Sequence, residues 1–351
     1  MDNMEEMMQG FIKISKYAGM REDLVQAGGG NSSYKETDTR MYIKASGFQL
    51  AEVSEKEGYA VVNPQKIQAA FLNQENLDQI TDEVSREILQ SAFIEGKRPS
   101  IETFLHAVSG RYTLHTHPIV VNAMTCRKQG MDVLAEMFPE ALIVPYATPG
   151  VELAKSFFLA YRRKAQEKGQ IFDIVFLQNH GLVVSGDSAQ IVIDRTEEVV
   201  RKLERYLKAD MQPYHVCTEL WEYFREKVVW RVTDQHVLEV FHKTGHMWKH
   251  SFCPDCVVFM GKNILNLTEQ DIEAALEKFQ KEYGSPVILI YDDNMYIVAD
   301  SVKKALEIQS VLSFSAQVMK LNENVECTLL DEREQNFLLN WDAEKYRKNI
   351  K

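Results

Sequence analysis

Over the first two-thirds of the chain, stretches with the two-residue period of a strand alternate with stretches of helical period. "RMYIKASGF" (40–48) and "GYAVVNPQ" (58–65) read as strands, rich in β-branched and aromatic residues. "ENLDQITDEVSREILQSAFI" (75–94) places apolar residues at helical spacing, and "VELAKSFFLAYRRKAQEKG" (151–169) does so again, closing at Gly169. "IFDIVFLQNHGLVVSG" (171–186) reads as two strands joined at a polar turn. The amphipathic helix "IDRTEEVVRKLERYLKADM" (193–211) ends the main domain near Pro213.

Beyond Pro213 the pattern changes. Residues 217–250 look helical, so 214–250 is expected to be a helical connector. Then come the apolar run "CVVFMG", an acidic helix "TEQDIEAALEKFQKEYG", strands "PVILIYDD" and "MYIVAD", and a helix from Ser301 to Leu321. This order predicts a small α/β domain over 251–351, closed by a charged helical tail that holds Trp341. The expected division is 1–213, 214–250 and 251–351.

Composition narrows the function more than the fold. The 351 residues are 45% hydrophobic and 26% charged, as in ordinary globular proteins. A formal net charge of −11 argues against nucleic acid as the main partner, because phosphate backbones need concentrated positive charge. No apolar run reaches the roughly 18–20 residues that span a bilayer. The acidic start "MDNMEEMMQGF" lacks the basic and apolar segments of a signal peptide, so the expected location is cytoplasmic. Five cysteines in a long chain do not suggest a disulfide framework.

Candidate chemistry begins at "GRYTLHTHP" (110–118). His115 and His117 are two apart on a strand, so their imidazoles share a face and can share one metal ion. They can equally be two polar residues on a solvated face, and two ligands alone do not make a site. His180 in "QNHG" stands at a strand end or turn, where a side chain reaches into a cleft. Glu102 in "KRPSIETFLHAV" sits at a helix start favourable to a carboxylate, in a helix that leads into the histidine strand. "AGGGNSSYK" (27–35) and "KASG" (44–47) supply glycines, hydroxyls and a lysine each, suited to an anion, yet neither matches a P-loop or a dinucleotide fingerprint. Tight turns would use the same residues.

Taken in order, "GGGNSSYK", "IKASG", "PSIETFLH", "HTHP", "VPYATPG" and "QNHGLVVSG" resemble the class II aldolase/adducin family over roughly residues 8–210. The resemblance implies a three-layer α/β/α sandwich on a largely antiparallel sheet, with the C-terminal α/β region as an appendage. It implies Zn²⁺ or another divalent ion on His115, His117 and His180, and a catalytic carboxylate at Glu102. It places a phosphate or sugar oxygens at Asn31, Ser46, Gly47 and Ser100. The implied reaction is a carbon–carbon lyase step: retro-aldol cleavage of a ketose, as a sugar 1-phosphate, through a metal-stabilised enediolate. "RPSIETFLHA", "GGGNSSYK", "CPDCVVF" and the tail "EREQNFLLNWDAEKYRK" are similar to the aldolase half of bifunctional rhamnulose-1-phosphate aldolase/alcohol dehydrogenases.

Two departures stand out. Ile101 occupies a position where simpler sugar-phosphate aldolases carry a second serine, and no match is found for the tyrosine that some members use as proton donor. The family's cyclic tetramers imply a homo-oligomer whose cleft is completed by a neighbouring subunit or by the appendage. Asp255 in "CPDC" is a candidate for that proton donor, or else a turn cap. Pentulose-phosphate 4-epimerases and sugar-phosphate dehydratases share the same metal site, and adducin-type scaffolds keep the fold without the metal. A second metal reading comes from "FHKTGHMWKHSFCPDC", where His242, His246 and His250 recur every four residues before Cys253 and Cys256. His106 and His236 read as helix or surface residues and His215 as structural.

Overall fold

The computed structural model describes residues 2–72, 77–168, 172–224, 227–244, 251–267 and 271–341. The chain divides into two compact units, residues 1–211 and 212–351.

Among the described residues of the first unit, eight strands form one sheet: β1 (Asn31–Thr37), β2 (Arg40–Lys44), β3 (Tyr59–Val62), β4 (Phe93–Gly96), β5 (Tyr112–Thr116), β6 (Leu142–Val144), β7 (Ile174–Leu177) and β8 (Gly181–Gly186). They lie in the order β4-β3-β2-β1-β5-β8-β7-β6. Only β6 and β7 run parallel; the other neighbours are antiparallel. The helices are α1 (Asp2–Gly19), α2 (Pro64–Leu72), α3 (Asp82–Ala92), α4 (Thr103–Val108), α5 (Ile119–Thr125), α6 (Gly130–Met137), α7 (Val151–Lys168) and α8 (Ala189–Leu207).

Alternation along the strands sorts the two faces. Met41, Ile43, Ala60 and Val62 enter one core with α2, α4 and α7, where Phe71 stacks on Phe158 at 4.5 Å and meets Phe104 at 5.0 Å. Burying a side chain of this size stabilises by roughly 1.5–3 kcal/mol. On the other face α1 and α8 cover the sheet, and Phe11 meets Tyr59 edge-on at 6.4 Å. The result is a three-layer α/β/α sandwich on a largely antiparallel sheet, as the resemblance implied.

The run 75–94 departs from the single helix expected of its period. Thr81 accepts a hydrogen bond from the Val84 N–H and starts α3 there, after one 3₁₀ turn at Leu77–Gln79. At the other end Phe93 leaves the helix and pairs with Val62, so "FIEG" becomes the edge strand β4. The unpaired edge of β3 is a long-range partner that no local period reveals.

In the second unit β9 (Val228–Arg231), β10 (Leu265–Asn266), β11 (Ile288–Tyr291) and β12 (Asn294–Ala299) form a sheet in the order β10-β11-β12-β9. Asp292 and Asp293, both at positive φ (46° and 55°), make the two-residue turn of the β11–β12 hairpin. The helices are α9 (Gln212–Trp221), α10 (Gln235–Thr244), α11 (Pro254–Met260), α12 (Ile272–Tyr283), α13 (Val302–Leu321) and α14 (Glu332–Asn340). The expected helical connector at 214–250 is corrected by β9, which pairs antiparallel with β12 and buries Val228, Val229 and Trp230. That stretch belongs to the small α/β unit, because its apolar side chains are buried only when it joins the sheet. His246 and His250 lie outside the described residues. No helix among the described residues is long and apolar enough to cross a membrane.

Candidate metal centre

Three central strands of the first sheet bring their site ends together. Asn31 opens β1 and lies directly across from His115, near the end of β5, and Gly181 opens β8 just before Leu182, which pairs with Thr116. β2 ends on the same side at Lys44. Because neighbours run antiparallel, segments distant in sequence converge at one sheet end.

His115 is buried within β5, and His117 follows one residue past the strand end. His180 stands in the tight β7–β8 connection after Asn179, whose φ is 51°. The three Nε2 atoms face one another, with His115 to His180 at 3.2 Å and His115 to His117 at 3.1 Å. Glu102 Oε1 lies 3.5 Å from His115 Nε2 and 3.3 Å from His180 Nε2. The donor atoms of all four residues fall within 4.8 Å of one another.

That donor set fits a divalent ion. Ligands about 2.0–2.1 Å from a tetrahedral zinc stand roughly 3.3–3.4 Å apart, close to the separations seen. Hydrogen bonding sets the tautomer: His115 Nδ1 lies 2.9 Å from the Leu182 carbonyl, so Nδ1 carries the proton and Nε2 keeps its lone pair. Burial, with His115 and His180 as neighbours, pushes the His117 imidazole down to about 3, which keeps it neutral. His115 differs. Burial opposes its charge, but Glu102 overrides this and raises its pKa. Reciprocally, burial opposes the Glu102 charge, while His115 and His180 hold the carboxyl well below the usual carboxylate range.

Metal and protons therefore compete for these imidazoles, since the ligands must be deprotonated to bind. Metal uptake is expected to release protons and to weaken as pH falls. Calorimetry in buffers of different ionisation enthalpy measures this directly. An uptake enthalpy independent of buffer would contradict it.

Glycines let the histidines pack this closely. A Cβ on Gly181 would stand 2.3 Å from the Thr116 carbonyl oxygen, 3.0 Å from His117 Cδ2 and 3.3 Å from His115 Cε1. On Gly29 it would meet His117 Nδ1 at 2.9 Å, and on Gly30, at φ 73°, the His115 carbonyl at 2.8 Å. The glycine-rich stretch thus serves close packing against the histidine strand. Gly181→Ala is expected to lower metal affinity by at least the roughly 10–100-fold typical of losing an outer partner of a ligand. Metal content of the dialysed protein reads the effect; unchanged content would show that the turn tolerates the methyl.

Glu102 precedes α4 as its N-cap residue in αR conformation and makes no side-chain cap bond. Its carboxylate is instead directed at the histidines and at Asn31, whose Nδ2 donates to Oε2. Asn31 Nδ2 also donates to Ser100 Oγ at 3.1 Å, and the Glu102 N–H donates to the same oxygen at 3.3 Å. Ser100 Oγ accepts both and retains its own proton for a further acceptor. Asn31 Oδ1 is buried with no protein partner. Ser46 and Gly47 sit on the neighbouring loop, tied in by the Ala45–Pro99 bridge and by the Ser46 N–H to the Arg98 carbonyl at 2.9 Å. Both are exposed, and Gly47, at φ 87°, has no atom within 4 Å of where a Cβ would stand. Ile101 is 38% exposed beside them.

Several neighbouring polar side chains are committed to roles within the fold. Lys44 is buried at the end of β2, donating to the Phe48 carbonyl at 2.6 Å, and burial lowers its pKa while Glu102 opposes that shift. Lys35, the lysine closing the glycine-rich stretch, is committed to the Ser109 carbonyl. Arg21 is fully buried, with Nε and Nη2 on Asp23 at 3.0 and 2.6 Å and a further bond to Glu197. This network anchors the loop whose Asp23 and Leu24 carbonyls accept from the Ile119 and His117 N–H groups at 2.9 and 2.8 Å. His106 lies in the core with Nδ1 2.7 Å from Ser33 Oγ, and burial, aided by His115, pushes it down to about 3. His215 is likewise buried, on α9.

Residues 9–207 match the family described as the Class II Aldolase and Adducin N-terminal domain. The chain belongs to this family, whose aldolases depend on a divalent metal, and membership supports an enzyme of the class II aldolase/epimerase superfamily. Over 214 residues it is 26% identical to the "Uncharacterized oxidoreductase YuxG" of Bacillus subtilis (strain 168), a stretch that is 58% of this chain and 30% of that protein's length. Among solved structures, the N-terminal class II aldolase domain of a conserved protein from Thermoplasma acidophilum is 27% identical, with a TM-score of 0.48, covering 56% of this chain and 92% of that one. L-fuculose-1-phosphate aldolase from Thermus thermophilus is 18% identical, with a TM-score of 0.36, covering 62% of this chain and 97% of that one.

Proposed function

We propose that residues 1–213 form a metal-dependent aldolase that cleaves a ketose, as a sugar 1-phosphate, by a retro-aldol reaction. The single observation that carries this reading is the convergence of three imidazole Nε2 atoms and one carboxylate oxygen on a common point, with hydroxyl and amide donors beside it. His115, His117 and His180 would hold Zn²⁺ or a similar divalent ion. Such an ion supplies Lewis acidity toward substrate oxygens and so eases the negative charge that develops when a carbon–carbon bond beside a carbonyl breaks.

The chain's own residues divide the remaining work. Asn31 fixes Glu102 through Oε2, which leaves Oε1 on the histidine side as the atom that accepts and returns a proton. Ser100 Oγ donates outward to a substrate oxygen, and Ser46 and Gly47 extend that anion-facing surface. Ile101 removes one hydroxyl from it, so phosphate is held by fewer side chains than in the simpler aldolases. Burial of Asn31 and His115 keeps water from competing at the inner wall.

The test is metal analysis of the purified chain, followed by a screen of ketose 1-phosphates scored for dihydroxyacetone phosphate release. Stoichiometric metal with cleavage of one stereochemical class is the expected result. A metal-bound chain that only epimerises or dehydrates sugar phosphates would replace the reading, and a chain that binds no divalent metal would remove it.

A further inference from the structure

The "CPDC" segment lies in the second unit, at the start of α11. Cys253 is half-buried and immediately precedes α11, and Cys256 is fully buried one turn later. The Cys253 thiol donates to Cys256 Sγ at 3.2 Å, so the two sulfurs are already in contact. The Cys253 side chain makes no cap hydrogen bond to α11. Among the described residues, no third histidine, cysteine or carboxylate joins the pair in a metal-sized cluster. Two zinc-bound thiolates would stand farther apart, at about 3.7–3.8 Å for bonds of about 2.3 Å in a tetrahedron.

We propose that Cys253 and Cys256 are a redox-active dithiol that closes to an intramolecular disulfide at the expense of a low-molecular-weight disulfide. Cys253 is the entry sulfur because it alone of the pair reaches solvent. Its thiolate attacks one sulfur of the oxidant, the oxidant's S–S bond breaks, and one small thiol leaves with a proton. Cys256 then attacks the Cys253 sulfur, the mixed disulfide breaks, and the second small thiol leaves with the second proton. Two electrons pass from the pair to the oxidant. Burial raises the Cys256 thiol, with the Cys253 contact adding to this, so Cys256 rests as a protonated, inert sulfur until the mixed disulfide forms.

The experiment uses the full chain carrying Cys126→Ser and Cys327→Ser, which removes the two exposed thiols. It is equilibrated across ratios of oxidised to reduced glutathione, quenched in acid, and read by intact mass and peptide mapping. The expected product is a Cys253–Cys256 disulfide without bound glutathione. Adding Cys256→Ser should trap glutathione on Cys253. Adding Cys253→Ser should slow any adduct at position 256 by at least about tenfold. The proposal is overturned if both cysteines remain thiols at the most oxidising ratio while free glutathione is fully oxidised. It is equally overturned if glutathione persists on Cys253 with Cys256 present, or if the pair holds a chelatable zinc ion that blocks alkylation. The wild-type pair is read without either pair substitution, so misfolding of a variant does not leave the result open.

Discussion

Glu102→Gln is expected to keep its bound metal and lose roughly 10²–10⁴-fold in turnover, the usual contribution of a positioned acid or base. Three imidazoles remain as ligands, and the amide oxygen can still accept from Asn31 Nδ2 in place of Oε2. What disappears is the anionic Oε1, 3.3 Å from His180 Nε2, to which the proposed proton transfer is assigned. The measurement is kcat with metal content determined on the same sample. Turnover near that of the parent at full occupancy would exclude Glu102 from the chemistry. A parallel loss of metal and activity would instead make Glu102 chiefly a ligand.

His115→Ala is expected to remove the metal and the activity together. His115 sits at the centre of the cluster, 3.1 Å from His117 and 3.2 Å from His180. It is also the histidine whose Nδ1 is oriented by the Leu182 carbonyl. Losing an outer partner of a ligand costs about 10–100-fold in metal affinity, so losing the oriented ligand itself should cost more than about 100-fold. The substitution also leaves a cavity beside the buried Val183, so circular dichroism is needed to show that the sheet persists. A variant that retains stoichiometric metal after dialysis would place the ion elsewhere.

The candidate site was legible in unequal parts. The i, i+2 spacing of His115 and His117 announces a shared face, because side chains alternate along a strand. His180 and Glu102 carry no such local mark. Each reads by itself as a turn residue or a helix-start acid, and only their order relative to known motifs singled them out. The glycines of "AGGGNSSYK" suit an anion or a tight turn by sequence, whereas Gly29 and Gly30 press against the histidine strand. Arg21, an ordinary charge in the sequence, proves to be buried, and so does Lys44 of "KASG", whose lysine suited an anion.

Local periodicity determined those helices and strands of this protein whose pattern is written in one continuous stretch. Amphipathic α8, the helical run of α7 and the β7–β8 and β11–β12 pairs depend on neighbours a few residues away, and the chain writes those patterns explicitly. Tertiary structure decided the elements whose partner is remote. "FIEG" became a strand because β3 had a free edge, and "VVWR" became one because β12 could bury it. It also decided the site's geometry. Asn31, Lys44, Glu102, His115 and His180 lie far apart in sequence. They meet because an antiparallel sheet returns alternate strand ends to one side, and that convergence is a property of strand order that no single segment encodes.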